Sequence, residues 1–192
     1  MKLLFGLSGN PPHLGHLNVI QQALGMLPLS PLEVIIVPVK KHPFGKQLNN
    51  FSIIFEIVTE FARDASDILN VKCAAIDLEG DIMAKNNIDT VYSVDMLKEL
   101  QERYPDETIA MCFGPDNKDV FHTFKESQYL EDNAMVLFAK EREPIRSTLI
   151  REALENNELL SNGQSPYNYL TKNVKTLVQY HKDTLYPQET IA

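Results

Sequence analysis

Gly6-Leu7-Ser8-Gly9-Asn10-Pro11-Pro12-His13-Leu14-Gly15-His16 stands between two apolar segments of different period. Before it, Met1 to Phe5 is a short, largely apolar run that predicts a buried strand. After it, Leu17, Val19, Ile20, Ala23 and Leu24 recur at helical spacing. The stretch therefore marks the place where a strand hands over to a helix. Such junctions bind phosphates, because unpaired backbone N–H groups and the positive end of the helix dipole face the ligand. Gly6, Ser8 and Gly9 are small enough for a polyphosphate to approach the backbone. The two prolines stiffen the turn and suit a helix entry. His13 and His16 are three apart, so one helical turn brings them to one face. Taken alone, that pair is also consistent with a cap and a surface residue. A zinc site needs a third or fourth ligand at recognisable spacing, and neither cysteine is nearby.

The chain has 192 residues, enough for a real core, and reads as a single domain. Its 44% hydrophobic and 23% charged residues are those of an ordinary globular protein. A net charge of −8 argues against general nucleic-acid binding while leaving room for a local cationic pocket. Cys73 and Cys112 sit in apolar, strand-like runs and are expected to be reduced core residues. The first apolar run is too short and too soon interrupted for a signal peptide, and no stretch approaches the ~20 apolar residues of a membrane span. The expected location is cytoplasmic, with no membrane partner.

Gly25 to Pro31 is a turn rich in Gly and Pro, and Leu32 to Val39 is a near-continuous β-branched run of the kind covered on both faces of a sheet. Strand, helix and strand at this spacing predict a right-handed parallel βαβ unit. At the carboxyl end of the second strand lies Lys40-Lys41-His42-Pro43-Phe44-Gly45-Lys46, a cationic loop suited to phosphate. Phe51 to Ala65 predicts an amphipathic helix and Leu69 to Ile76 a third strand. Asp77-Leu78-Glu79-Gly80-Asp81 is expected to be a solvated acidic turn, with an oxygen-ligand metal site as the alternative. Ser93 is the expected N-cap of a helix running to Tyr104. Thr108 to Phe113 predicts a fourth strand, ending in the turn Gly114-Pro115-Asp116-Asn117, and Asn133 to Lys140 a fifth. Ser147 and Thr148 can cap the next helix. Asn162 to Pro166 breaks the helical C-terminal stretch, and Leu170 to His181 closes it.

Five segments carry a resemblance. Asn10, Pro11, His13, Gly15 and His16 match the His-x-Gly-His signature of the nucleotidyltransferase superfamily, with Leu7 where a second glycine is usual and Gly9 where an aromatic is usual. Ile145, Ser147, Thr148, Ile150 and Arg151 match its second signature, Ile-Ser-x-Thr-x-Ile-Arg, with Arg146 at the first serine. Tyr92-Ser93-Val94-Asp95 and Phe121-His122-Thr123-Phe124 resemble stretches of the nicotinate/nicotinamide-nucleotide adenylyltransferases, with Phe124 where tryptophan is usual. The C-terminal segment around Val174, His181 and Tyr186 is similar to that family's ending, which packs against the sheet.

The resemblance implies a doubly wound, Rossmann-like α/β fold. Residues 1–145 would form the α/β core, 146–186 a helical C-terminal subregion and 187–192 a tail. It implies adenylyl transfer from ATP to nicotinate mononucleotide or its amide, with magnesium bridging phosphate oxygens and few protein ligands for the metal. His13, His16 and Arg151 would be catalytic. Gly6, Ser8, Asn10, Gly15, Lys46, Gly114, Asp116, Ser147 and Thr148 would bind ATP and its phosphates. Tyr92, Ser93 and Phe124 would line the pyridine pocket. Another transferase of the superfamily, acting on pantetheine phosphate or with a cytidylyl group, stays open, as does a non-catalytic nucleotide sensor. Whether the chain forms a homo-oligomer is not written in these residues.

Overall fold

The computed structural model describes residues 1–40, 50–142 and 145–187. Five strands form one wholly parallel sheet: β1 (Lys2–Leu7), β2 (Glu33–Pro38), β3 (Cys73–Ala75), β4 (Ile109–Phe113) and β5 (Met135–Phe138). Their spatial order is β3-β2-β1-β4-β5, so the winding reverses between β1 and β4. The helices are α1 (Leu14–Met26), α2 (Phe51–Leu69), α3 (Leu78–Asn86), α4 (Ser93–Arg103), α5 (Ser127–Asn133), α6 (Ser147–Asn156), α7 (Lys172–Tyr180) and α8 (Lys182–Leu185). Among the described residues no helix is long and apolar enough to cross a membrane.

Strand alternation explains the two layers of core. Leu3, Phe5 and Leu7 of β1, Val34 and Ile36 of β2, and Ala110 and Cys112 of β4 face one side. They pack there against Ile20 of α1, Phe61 of α2, Leu154 of α6 and Val178 of α7. Leu4, Ile35, Val37, Ile109 and Met111 face the other side, against Ile82 of α3, Leu100 of α4 and Leu130 of α5. This is a doubly wound sheet. All of β2 is buried, which is what a β-branched run covered on both faces requires. Cys73 and Cys112 are free and buried, and burial pushes the Cys73 thiol up to about 11.

Several boundaries differ from expectation for identifiable reasons. Leu69 belongs to α2, which continues until Asn70 takes the left-handed conformation at φ 52°, leaving only three residues for β3. Asp77 to Asp81 is neither a solvated turn nor a metal loop. It is the start of α3, where the Asp77 carboxylate accepts the Gly80 N–H at 2.9 Å and pairs with Lys40 at 2.7 Å. Asn133 ends α5 rather than opening β5. Tyr92, not Ser93, is the N-cap of α4, and its N–H donates to Asp95 Oδ2 at 2.9 Å. Arg146, not Ser147 or Thr148, is the N-cap of α6. The C-terminal helix divides into α7 and α8, and Leu170 precedes it. Most of the tail, 188–192, lies outside the described residues.

Helix α7 is tied to α2 by a tertiary cap. Asp64 of α2 is buried, and its Oδ2 accepts the Asn173 N–H at 2.9 Å, near the start of α7. The N-cap residue itself, Thr171, leaves its hydroxyl without a partner. A carboxylate borrowed from another helix therefore takes the place of a local cap. Asp64→Ala is expected to lower stability by about 1–2 kcal/mol, with Asp64→Asn losing less. Thermal melting checks this, and an unchanged melting temperature for Asp64→Ala would refute it.

Candidate functional site

The carboxyl ends of β1 and β4 point toward a crevice at the reversal of winding, where open α/β sheets bind ligands. A cleft of about 590 Å³ lies there. Its walls include Gly6 near the end of β1, and Ser8, Asn10, His13, Gly15 and His16 from the segment after it. Gly114 and Asp116 come from the turn after β4, and Ser147, Thr148 and Arg151 from α6. The two segments that resemble the nucleotidyltransferase signatures, far apart in sequence, thus meet in one cavity. Lys46, with Lys41 and His42, lies outside the described residues. Lys40 is described, and its ammonium is engaged by Asp77.

Tyr92, Ser93 and Phe124 are not among the cleft walls. Tyr92 borders a separate hollow with Asp95 and Lys125, whose ammonium sits 4.8 Å above its ring. Ser93 is the first residue of α4. Phe124 packs edge-on to Phe113, ring centres 5.7 Å apart, in a cluster with Phe121 and Phe138.

The two histidines are oriented by the backbone. His13 is the N-cap of α1, in extended conformation, and its Nδ1 accepts the Gly15 N–H at 3.1 Å. His16 Nδ1 accepts the His13 N–H at 3.1 Å. The rings lie 3.8 Å apart, centre to centre. With both Nδ1 atoms accepting, the neutral tautomer of each ring carries its proton on Nε2 and acts there as a donor. The glycines make this packing possible. A Cβ on Gly15 would sit 2.8 Å from the His13 ring, and one on Gly9 2.6 Å from the His16 ring. In this chain the bare backbone of Gly9 lies directly against the His16 ring.

The surroundings also hold both imidazoles neutral. Burial pushes His13 down to about 4, with the charge of Arg146 adding to the effect. The His16 ring is hemmed in, and burial, His13 and Arg146 in that order hold it well below the usual histidine range. At neutral pH the pair therefore offers two uncharged N–H donors, not two cations.

The α6 residues are committed to the first loop. Ser147 Oγ donates to the Pro11 carbonyl at 3.0 Å, and Arg151 Nη1 to the Asn10 carbonyl at 3.1 Å. Tyr186 is fully buried and donates its hydroxyl to Asn10 Oδ1 at 2.9 Å. Its part in the site carries no local sequence signal. Lys140, Glu141 and Arg142 also line the cleft. Their position just past the carboxyl end of β5 is a signal that could have marked them.

Linkage gives the pH prediction. A histidine whose folded pKa lies below its unfolded value of ~6.5 binds fewer protons when folded. Its contribution to stability is therefore complete above ~6.5 and falls as pH drops towards about 4. His13→Asn keeps a capping acceptor without a titrating ring. Between pH 7 and pH 5 the wild type should lose about 2 kcal/mol more stability than this variant. Denaturant unfolding at both pH values checks this, and parallel losses would contradict it.

Known proteins supply the wider setting. A curated protein of Maridesulfovibrio salexigens, named probable nicotinate-nucleotide adenylyltransferase, is 29% identical over 152 residues, covering 78% of this chain and 64% of that protein. One of the same name from Anaeromyxobacter dehalogenans is 33% identical over 113 residues, 59% of this chain and 56% of that protein. The chain thus spans less than two thirds of the length of these relatives. A crystal structure described as "a Putative Nicotinate-nucleotide Adenylyltransferase from Vibrio parahaemolyticus" superposes with a TM-score of 0.73 at 27% identity, covering 99% of this chain and 96% of that one. The Plasmodium falciparum nicotinic acid mononucleotide adenylyltransferase complexed with NaAD shares the fold, with a TM-score of 0.71 at 16% identity, over 94% of this chain and 95% of that one. A family model described as Cytidylyltransferase-like matches residues 5–153, from the end of β1 through both signature segments. With most of its length and both signature segments inside that match, the chain belongs to the cytidylyltransferase-like family.

Proposed function

We propose that the protein transfers the adenylyl group of ATP to nicotinate mononucleotide, or to its amide, and releases pyrophosphate. The observation that carries this reading is the meeting of the His13–His16 segment and the α6 N-terminus in one cleft at the sheet's switch point. The names of the relatives at 29% and 33% identity support the choice of acceptor. A cytoplasmic location goes with it.

The chemistry asks little of an acid or base. A 5′-phosphate oxygen of the mononucleotide attacks the α-phosphorus of ATP in line. The bond from that phosphorus to the bridging oxygen breaks, and pyrophosphate leaves. The attacking phosphate is already anionic, so no proton need be removed first. Catalysis is then positioning plus stabilisation of charge on the transferring and leaving groups. The Nε2–H groups of His13 and His16 are the neutral donors that would meet that charge. Ser8, the N–H groups of the first loop and the first turn of α6 would hold the remaining phosphate oxygens. Asp116 has the acceptor pair that a ribose diol needs.

Among the described residues no group of three or more His, Cys, Asp or Glu side chains could hold a metal ion. The cleft carboxylates Asp116 and Glu141 both face Arg146. That donor set fits a magnesium ion that arrives on phosphate oxygens. Bound there, it would offset negative charge on the phosphates.

Pyrophosphate release with ATP and magnesium, measured side by side with nicotinate mononucleotide, nicotinamide mononucleotide and pantetheine phosphate, tests the reading. Turnover with either pyridine mononucleotide is expected, falling at least ~100-fold in His16→Ala. Turnover with pantetheine phosphate alone, or ATP binding with no turnover on any acceptor, would overturn it.

A further inference from the structure

We infer that Arg146, at a position where the resemblance leads one to expect serine, is a cleft cation whose present carboxylate partners give way to the phosphates of a bound polyphosphate. The inference rests on reading the cleft as a polyphosphate site.

Three observations carry it. The first is how differently the two arginines of this segment are occupied. Arg151 is engaged with the Asn10 carbonyl and, at 3.4 Å, with Thr148 Oγ1, contacts that brace the first loop. Arg146 instead pairs with Asp116 Oδ1 at 3.0 Å and Glu141 Oε1 at 2.6 Å, and its Nη1 reaches the Ile145 carbonyl at 3.3 Å.

The second is that these ion pairs are built to exchange. Asp116 is 70% exposed, Glu141 44% and Arg146 itself 42%. Exposed pairs between flexible side chains are weak. A guanidinium meeting a multiply charged phosphate gains two parallel, charge-assisted hydrogen bonds.

The third is position. Arg146 is the N-cap of α6, so the unpaired N–H groups of the first turn begin beside it. Its charge also acts on both imidazoles, and all three residues line the same cleft. A phosphate between Arg146 and the two Nε2–H donors would meet a full positive charge on one side and neutral donors on the other. Glu141 then competes with the ligand for Arg146, and removing its charge helps binding only while Arg146 is present.

Titration calorimetry of the full chain with inorganic pyrophosphate at low salt reads this directly. Arg146→Ser is expected to weaken binding at least tenfold, with a melting temperature close to wild type. Glu141→Gln is expected to tighten it about threefold or more. In the Arg146→Ser background, Glu141→Gln should change nothing. Wild-type affinity in Arg146→Ser would overturn the inference. So would a Glu141→Gln gain that persists without Arg146, since that gain would be a general charge effect. If the wild type binds pyrophosphate and Arg146→Ser binds equally well, only the role of Arg146 falls. If the wild type binds no pyrophosphate, the polyphosphate reading of the cleft falls and this inference with it.

Discussion

The site depends on how Asn10 and Pro11 are held. Three side chains far along the sequence converge on these two residues: Ser147 on the Pro11 carbonyl, Arg151 on the Asn10 carbonyl and Tyr186 on the Asn10 side chain. A turn rich in Gly and Pro has few internal hydrogen bonds of its own, and its position is set by whatever grips it. Each neutral bond of this kind contributes about 0.5–1.5 kcal/mol net, and one from a charged donor about 1.5–3. The turn in turn fixes His13 as the cap of α1, and the capped helix fixes His16. Ordering therefore passes from the C-terminal helices through the loop to the two imidazoles.

Electrostatics adds a second constraint. The chain carries eight excess negative charges, yet its switch-point cleft is lined by Lys140, Arg142, Arg146 and Arg151. The histidines are kept out of that cationic set, by burial first and by Arg146 after it. The result separates two tasks. The arginines bring full positive charge to the cleft, and the neutral Nε2–H groups add donors without adding charge. The Asp64 cap on α7 and the Tyr186 bond to Asn10 are two separate anchors of the C-terminal helices.

Much of this was legible in the sequence. The β-branched run Val34 to Val37 announced a strand covered on both faces, and the pattern of strand, glycine-rich turn and helix located the junction that lines the switch-point cleft. What stayed hidden has physical causes. The start of α3 carries Asp77, Glu79, Gly80 and Asp81, which read as a polar turn. Only Leu78 and Ile82 betray its buried face, too few to show a period. Arg146 looked like a lapse in a serine-rich motif because a cap position is recognised by side chains that accept from the backbone, and this one does not. Tyr186 could be placed only as part of a helical ending, because its bond to Asn10 spans 176 residues and leaves no local trace. Tyr92, Ser93 and Phe124 match a pattern in sequence, and the packing of α4 and of the Phe113–Phe138 cluster places them outside the walls of the switch-point cleft.

The most direct test of this chain of support is Tyr186→Phe, which removes one hydroxyl and preserves the buried ring. Turnover of ATP with a pyridine mononucleotide and the melting temperature would be measured on the same preparation. The account predicts a kcat reduced about tenfold or more, with the melting temperature lowered by only a few degrees. A kcat equal to wild type would show that the loop does not need its C-terminal anchor and would contradict the account.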